Sequence, residues 1–251
     1  MSIFPLLYRN IKWRFHHSFT IIITILQPML WLVLYSLIAG QSMKAAGIED
    51  YTAFILPGLL ILVSFGACCS GGIMNYLMKA DGSFYRVLIA PIQRSSIVLA
   101  QILEAALCAL LEAAIMILTS TFLGVRISSG LTGFLLILLI VFMAGCFMAG
   151  LTYAISLILP NEVIYETAMN AIVLPVFFLS SALVPPGSLN GLLAVAVKLN
   201  PFTHVINVLR QLTLEQEIPY PGILRIILLL ALMSAASFLW SRHRLLRLLN
   251  Q

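Results

Sequence analysis

Charge is scarce in this chain. Only 9 % of its 251 residues are Asp, Glu, Lys or Arg, against about 25 % in soluble domains. A soluble fold needs a polar coat, so the shortage excludes a water-soluble enzyme, a disordered chain and a coiled coil. Metal-ligand spacing is missing too. The four cysteines, Cys68, Cys69, Cys108 and Cys146, fall inside apolar runs without a C-x2-C pair, and read as small buried hydrophobes. There is no HExxH sequence. No Gly-Lys dipeptide occurs, which removes the G-x-x-x-x-G-K-[ST] loop that cradles nucleotide phosphates. A G-x-S-G nucleophile turn is absent as well; Ser70, between Gly66 and Gly71, has the wrong spacing. No period of 20–50 residues and no low-complexity run is present.

Apolar residues fill the space: 61 % of the chain, with a mean hydropathy of +1.06. The solvent for most side chains is therefore lipid. A spanning helix needs about 20 apolar residues to cross roughly 30 Å of hydrocarbon, and six stretches meet that test: 19–39, 51–77, 96–123, 131–159, 166–184 and 223–240. Lipid offers no partner to backbone N–H and C=O groups, so helices are expected. The predicted fold is an all-α integral membrane protein, one domain over 1–251 with six transmembrane helices. The first 40 residues have a basic start and an apolar stretch, as a signal peptide does. That stretch exceeds a 7–15-residue h-region and Gln27-Pro28 interrupts it, so a retained span is expected.

The net charge of +5 sits in the gaps between spans, which points to membrane orientation rather than nucleic acid. Arg9, Lys12, Arg14, Lys79, Arg86, Arg94, Arg242, Arg244 and Arg247 fall on one side, and Lys44, Arg126, Lys198, Arg210 and Arg225 on the other. Nine against five places the first set, with both termini, in the cytoplasm.

Outside the spans, residues 2–17 carry Phe4, Leu7, Ile11 and Phe15 at helical spacing, opposite Arg9, Lys12 and His16. This pattern fits an amphipathic helix in the inner interface, or a basic stop flanking the first span. In the cytoplasmic gap 78–95, Asp81 caps a short helix that Pro91 closes, with Phe84, Tyr85, Val87 and Leu88 expected at its surface beside Arg86. Such a surface calls for a protein partner or the bilayer face. The outer segment 184–222 opens on the Pro185-Pro186-Gly187 turn and holds two short helices, the second starting at Asn200-Pro201. Both are expected to dip into the outer leaflet. Phe202, Val205 or Ile206, Leu209 and Leu212 share one face of the second, and His204, Asn207 and Gln211 the other, with Arg210 alongside. His204 reads as a satisfied polar residue rather than a catalyst.

Two carboxylates lie inside the third stretch. Glu104 and Glu112 are eight residues apart, about 80° from superposition on a helix. A charge at mid-bilayer costs about 2.5–3.5 kcal/mol on insertion scales, so each calls for a partner, a proton or a wet cavity. Glu104 reads as bonded to another helix or reaching the interface. Glu112 divides evenly between a structural bond and attraction of a cationic cargo. Pro28, Pro57 and Pro175 are expected to kink or unwind spans one, two and five. Gly66, Ala67, Ser70, Gly71 and Gly72, with Gly145 and Ala149, allow close helix approach.

Five blocks in order carry a resemblance: Gln27-Pro28 after a basic N-terminal helix, FILPGLL (54–60), DGSFYRVLIAPIQR (81–94), LSSALVPP (179–186) and LNPFTHVINVLRQ (199–211). Together they resemble the type-two export permeases of ATP-binding-cassette transporters, almost end to end. Many relatives carry an acidic-basic run before the glycine of the cytoplasmic segment; here Lys79 and Asp81 stand there. The resemblance implies a half-transporter in the bacterial cell membrane. A second permease copy or close paralogue would pair with it and two separate ATPase subunits would dock below. No cofactor is expected in this chain, since ATP and Mg would be bound by the partner ATPase. The coupling residues implied are Asp81, Gly82, Phe84, Tyr85, Arg86 and Pro91. A path between spans two and five would involve Pro57, Phe65, Glu112, Pro175, Phe177 and Phe178, and an outer gate Pro185, Asn200, Pro201 and His204. The cargo expected is an amphipathic or lipid-like molecule or a drug. Stacking of carbohydrate on Trp31, Tyr35, Phe177 and Phe178 is the other use of those rings. The alternative class is a self-sufficient channel or ion-coupled carrier, with Glu104, Glu112 and Arg225 as its ion-path charges. A structural scaffold is a third.

Overall fold

A computed structural model describes residues 3–16, 22, 26, 29–38, 50–183 and 191–249. Gln27-Pro28 and Pro185 lie outside them. Among the described residues every regular element is a helix. In chain order they are α1 (Ile3–His16), α2 (Met29–Ile38), α3 (Tyr51–Ala80), α4 (Ser83–Ile89), α5 (Arg94–Phe122), α6 (Gly130–Ser156), α7 (Glu162–Phe178), α8 (Gly191–Leu199), α9 (Pro201–Leu214) and α10 (Tyr220–Leu249).

Four helices, α3, α5, α6 and α10, are long and apolar enough to cross a membrane, and the α8–α9 pair, bent by 78°, makes a fifth candidate. At 27 to 30 residues and 1.5 Å per residue they exceed the hydrocarbon thickness. The other two expected stretches are represented by shorter helices. α7 has 17 residues and stops at Phe178 rather than 184. Pro175 lies inside the helix and lacks the N–H that would bond one turn back, and the C-cap Leu179 closes the last turn with its N–H on Pro175 O at 2.8 Å. α2 has ten described residues within 19–39. At the other extreme, α10 carries Arg242, Arg244 and Arg247 on its helical continuation beyond the expected end at 240.

Side-chain caps set several starts. Asp50 Oδ1 accepts from Ala53 N (3.1 Å) before α3, and Asn161 Oδ1 from Ile164 N (2.9 Å) before α7. Pro57 does not unwind its helix: it lies in the second turn of α3, which continues as helix for 30 residues. The proline removes one intrahelical bond, the one its N–H would make to Ala53 O.

α3 is the central helix, burying 83 % of its most apolar window, while α10 buries 22 % and is peripheral. It packs on α5, α6, α7 and α9; α10 packs on α6. Small residues permit this. A methyl at Gly72 would collide with the Tyr165 ring of α7, and one at Gly150 of α6 with Ser237 of α10. Tyr165 O–H donates to Cys69 O (3.0 Å), sealing the α3–α7 approach. On the outside, Leu131, Leu135 and Leu139 of α6 and Leu224, Leu228 and Leu232 of α10 repeat every fourth residue and are exposed. These stripes form the lipid-facing band.

Candidate coupling surface and translocation groove

At the C-terminal end of α3, three donors tie the helix to the end of α6. Asn75 Nδ2 reaches Ser156 Oγ (3.0 Å), Tyr76 O–H reaches Leu159 O (3.1 Å) and Lys79 Nζ reaches Ser156 O (3.3 Å). The Lys79 ammonium also lies 5.5 Å from the centre of the Phe84 ring, within cation–π range. Gly82 turns the chain with φ of 74°, the left-handed region that favours glycine. Asp81 Oδ1 accepts from Ser83 N (2.8 Å), and this bond with the Ser83 hydroxyl holds the Asp81 carboxyl below its ordinary range.

α4 is the expected short helix, but its surface differs from the expectation. Phe84, Val87 and Leu88 are buried in the chain's own core, while Tyr85, Arg86 and Ile89 are exposed. Phe84 is drawn in because α3 and α5 converge beneath it and Lys79 caps its ring. Pro91 is exposed beyond the helix end, and Arg94 Nη1 donates to Leu88 O (2.7 Å), fixing the return. The exposed face of the helix and its exit is therefore Tyr85, Arg86, Ile89 and Pro91, with Asp81 and Gly82 shaping the turn.

α1 leaves Phe4 and Phe15 exposed, and its core-facing side is mixed: Leu6 is buried with Ile3 and Trp13 packed beside the core, next to two polar side chains. Asn10 and Arg14 are buried. Asn10 Nδ2 donates to Gln101 Oε1 (3.1 Å), and Gln101 Nε2 to Gly71 O (3.3 Å). Arg14 Nη1 donates to Ser70 Oγ (2.8 Å) and to Ala67 O (3.3 Å), and Arg14 Nε stands 2.5 Å from Glu104 Oε1. Counting Arg14 among the gap charges missed this. The signal was the i, i+4 pair Asn10/Arg14 opposite the aromatic stripe. Glu104 is thus a structural partner. Glu112 is fully buried, and among the described residues neither of its carboxylate oxygens has a hydrogen-bond partner.

Two cavities flank α7. The smaller, about 250 Å³, lies between α2, α3 and α7; Trp31, Tyr35, Gly66, Asn170, Phe177 and Phe178 are among its walls. Trp31 and Tyr35 stack at 5.5 Å. The larger, about 500 Å³, is lined by Phe65, Pro175 and Phe202 among others. The residues expected along one path are therefore divided. Phe177 and Phe178 face the first cavity, Phe65 and Pro175 the second, and Pro57 and Glu112 neither.

The outer helices form as expected, with Asn200 capping α9 through Phe202 N (2.9 Å). His204 is exposed and its Nε2 lies 3.0 Å from Lys198 O. Arg210 is not on the polar face. It is buried, with Nε donating to Phe54 O (3.1 Å) and Nη2 to Ser181 O (2.6 Å), and its guanidinium stacks 3.7 Å from the centre of the Phe54 ring. No carboxylate lies within ion-pair distance among the described residues. Arg210 pins α9 to the N-terminal end of α3 and to the turn after α7.

Long apolar helices around a central one, a short helix presented at the C-terminal end of that helix and a bent pair packed toward its N-terminal end define a multi-pass membrane protein with the layout of a transport permease. The ABC-2 type transporter family matches residues 1–214, and the chain belongs to that family. It is 26 % identical over 197 residues to the putative transport permease ycf38 of Cyanophora paradoxa, covering 76 % of this chain and 67 % of the relative. The ycf38 permease of Porphyra purpurea is 28 % identical over 195 residues, 76 % of this chain and 66 % of its own length. The probable doxorubicin resistance ABC transporter permease protein DrrC of Mycobacterium tuberculosis is 25 % identical over 195 residues, 76 % of this chain and 69 % of its own. The matched segment spans about two thirds of each relative.

Proposed function

We propose that this chain is the transmembrane subunit of an ATP-driven exporter. It would form the translocation path as a dimer with a second copy or close paralogue, and take its energy from two separate ATPase subunits that bind ATP and Mg. The observation that carries this reading is α4. Three of its side chains anchor it in the core, and Tyr85, Arg86 and Ile89 stand free on the opposite face. A short rigid helix so anchored passes a push directly into α3 and α5. In this reading α4 and both termini would lie in the cytoplasm of a bacterial cell, and α2 and α7 would belong to two further crossings beside the four long helices.

The cargo would move along the α2–α3–α7 groove, between Trp31, Tyr35, Phe177 and Phe178. Its aromatic walls and the single amide of Asn170 suit an amphipathic, lipid-like or drug-like molecule. The DrrC likeness supports this choice. ATP-driven closure of the motor would favour the outward-open arrangement, and cargo must bind the two states unequally to be moved. At the outer end Asn200, Pro201 and His204 sit on or beside the bent pair and act as the gate, with Pro185 in the segment before it.

The ion-coupled alternative is weakened, because Glu104 is locked to Arg14 and Arg225 is exposed at the outer end of α10. Replacing Tyr85 and Ile89 together by alanine tests the reading. A nucleotide-binding subunit found in a neighbouring reading frame and co-expressed with the permease should no longer co-purify, while the permease keeps its level in the membrane. Undiminished co-purification would overturn the coupling assignment.

A further inference from the structure

The larger cavity lies on the opposite face of α7 from the groove. Ile172, Pro175, Val176 and Leu179 line it, while Asn170, Leu174, Phe177 and Phe178 line the groove. At 100° per residue these sets point in opposite directions. Its floor is closed: Phe65, Met148, Val173 and Phe202 are buried. Its rim is open, with Leu199 78 % and Ile172 and Leu179 each 38 % exposed.

Apart from Asn200, the walls are apolar side chains. The Asn200 amide is spent: Nδ2 donates to Val176 O (2.6 Å) and Leu179 O (2.8 Å), and Oδ1 accepts from Phe202 N. Nothing remains to select a headgroup, a sugar or a cation. Water has no partners there either, and an empty space of this size forfeits dispersion contacts along its whole lining.

Depth supplies the occupant. The far end of α9 is tied to the outer loop, where Ser128 N donates to Thr213 O (3.0 Å) and Ser129 Oγ to Leu212 O (2.5 Å). From there its 14 residues run about 20 Å to the bend at Asn200. The bend faces Phe65, midway along α3, so the cavity sits near the centre of the membrane where acyl chains end. Its rim continues the lipid-facing band through Met233 and Leu232 of α10.

We propose that this cavity holds one acyl chain of a bilayer phospholipid, entering beside α7 and ending against Phe65 and Phe202. A volume of about 500 Å³ is in the range of small-ligand sites. The chain would fill the space under the α8–α9 bend and support it. The inference rests on membrane insertion alone and is independent of what the groove transports.

Photo-labelling tests it. The full-length chain is reconstituted in phosphatidylcholine bilayers containing a phosphatidylcholine with a diazirine on the terminal carbon of one acyl chain. After irradiation, adducts should concentrate on Phe65, Phe147, Met148 and Phe202. Ala196→Trp, which fills the cavity, should lower them several-fold without changing adducts at Leu228 and Leu232. Ile172→Trp at the exposed rim should do the same, and serves if the first variant does not fold. Labelling confined to the outer band, or floor adducts indifferent to both tryptophans, would overturn the proposal. So would floor labelling by a free diazirine fatty acid but not by the phospholipid, which marks a transported amphiphile. A floor labelled by neither probe, as a second copy sealing the rim would give, also overturns it.

Discussion

Arg14 and Glu104 form an ion pair between the N-terminal helix α1 and the long apolar helix α5, with 2.5 Å between Nε and Oε1. Both side chains are buried. Removing one partner strands the other charge in an apolar setting, which costs about 3–5 kcal/mol, whereas removing both leaves nothing to compensate. Arg14→Met and Glu104→Gln should each lower the thermal midpoint of the detergent-purified chain clearly. The double variant should recover much of the loss. A double variant as damaged as the sum of the singles would contradict the pairing.

Phe84 and Tyr85 are adjacent in sequence and opposite in consequence. Phe84→Ala empties a buried site and should cost about 3 kcal/mol or more, reducing the amount of folded permease. Tyr85→Ala should leave folding unchanged within about 0.5 kcal/mol and weaken ATPase binding. Fluorescence-detected size exclusion on heating separates the two effects; equal destabilisation by both would contradict the burial pattern.

Asp81 shapes the turn into α4 as a carboxylate. Its carboxyl is held below the ordinary range by Ser83, so its contribution is present above the unfolded value of about 3.9 and fades only as pH falls through the lower folded value. Amide exchange at Ser83, corrected for its intrinsic pH dependence, should show constant protection from about pH 5 to 8. Asp81→Ala should lower that protection and Asp81→Asn retain most of it. A step in protection near pH 6 would contradict this account.

Arg210 spends its donors on backbone carbonyls at three places in the chain, at Phe54, Ser181 and Ala182. Lysine has neither the planar fork nor the stacking surface, so Arg210→Lys should cost about 1.5–3 kcal/mol and loosen the outer end. A cysteine placed at Ser181, fully buried here, should then react faster with a water-soluble maleimide. An unchanged labelling rate would remove Arg210 from the outer closure.

The long helices were legible because apolar length is a strong signal, and the start at Asn200 because caps are local. α7 was misjudged at both ends: the apolar pattern runs from 166 to 184, whereas the helix starts four residues earlier behind the Asn161 cap and stops at Phe178. The α4 helix was legible and its faces were not. Seven residues give two turns with apolar groups nearly all round, and which side is covered depends on where α3 and α5 converge. Arg14 and Arg210 were misplaced for one reason. Both were counted as gap charges, although a guanidinium surrounded by carbonyls or a carboxylate is at home in a core. The two-sided character of α7 was invisible until α8, α9 and α10 were seen to enclose its second face.

The most direct test of the account is transport by the purified permease in sealed vesicles, with and without its ATPase. The account predicts cargo movement that requires the ATPase and hydrolysable ATP together, and is lost when Tyr85 and Ile89 are alanine. Uphill accumulation of a solute by the permease alone, without nucleotide, would contradict it.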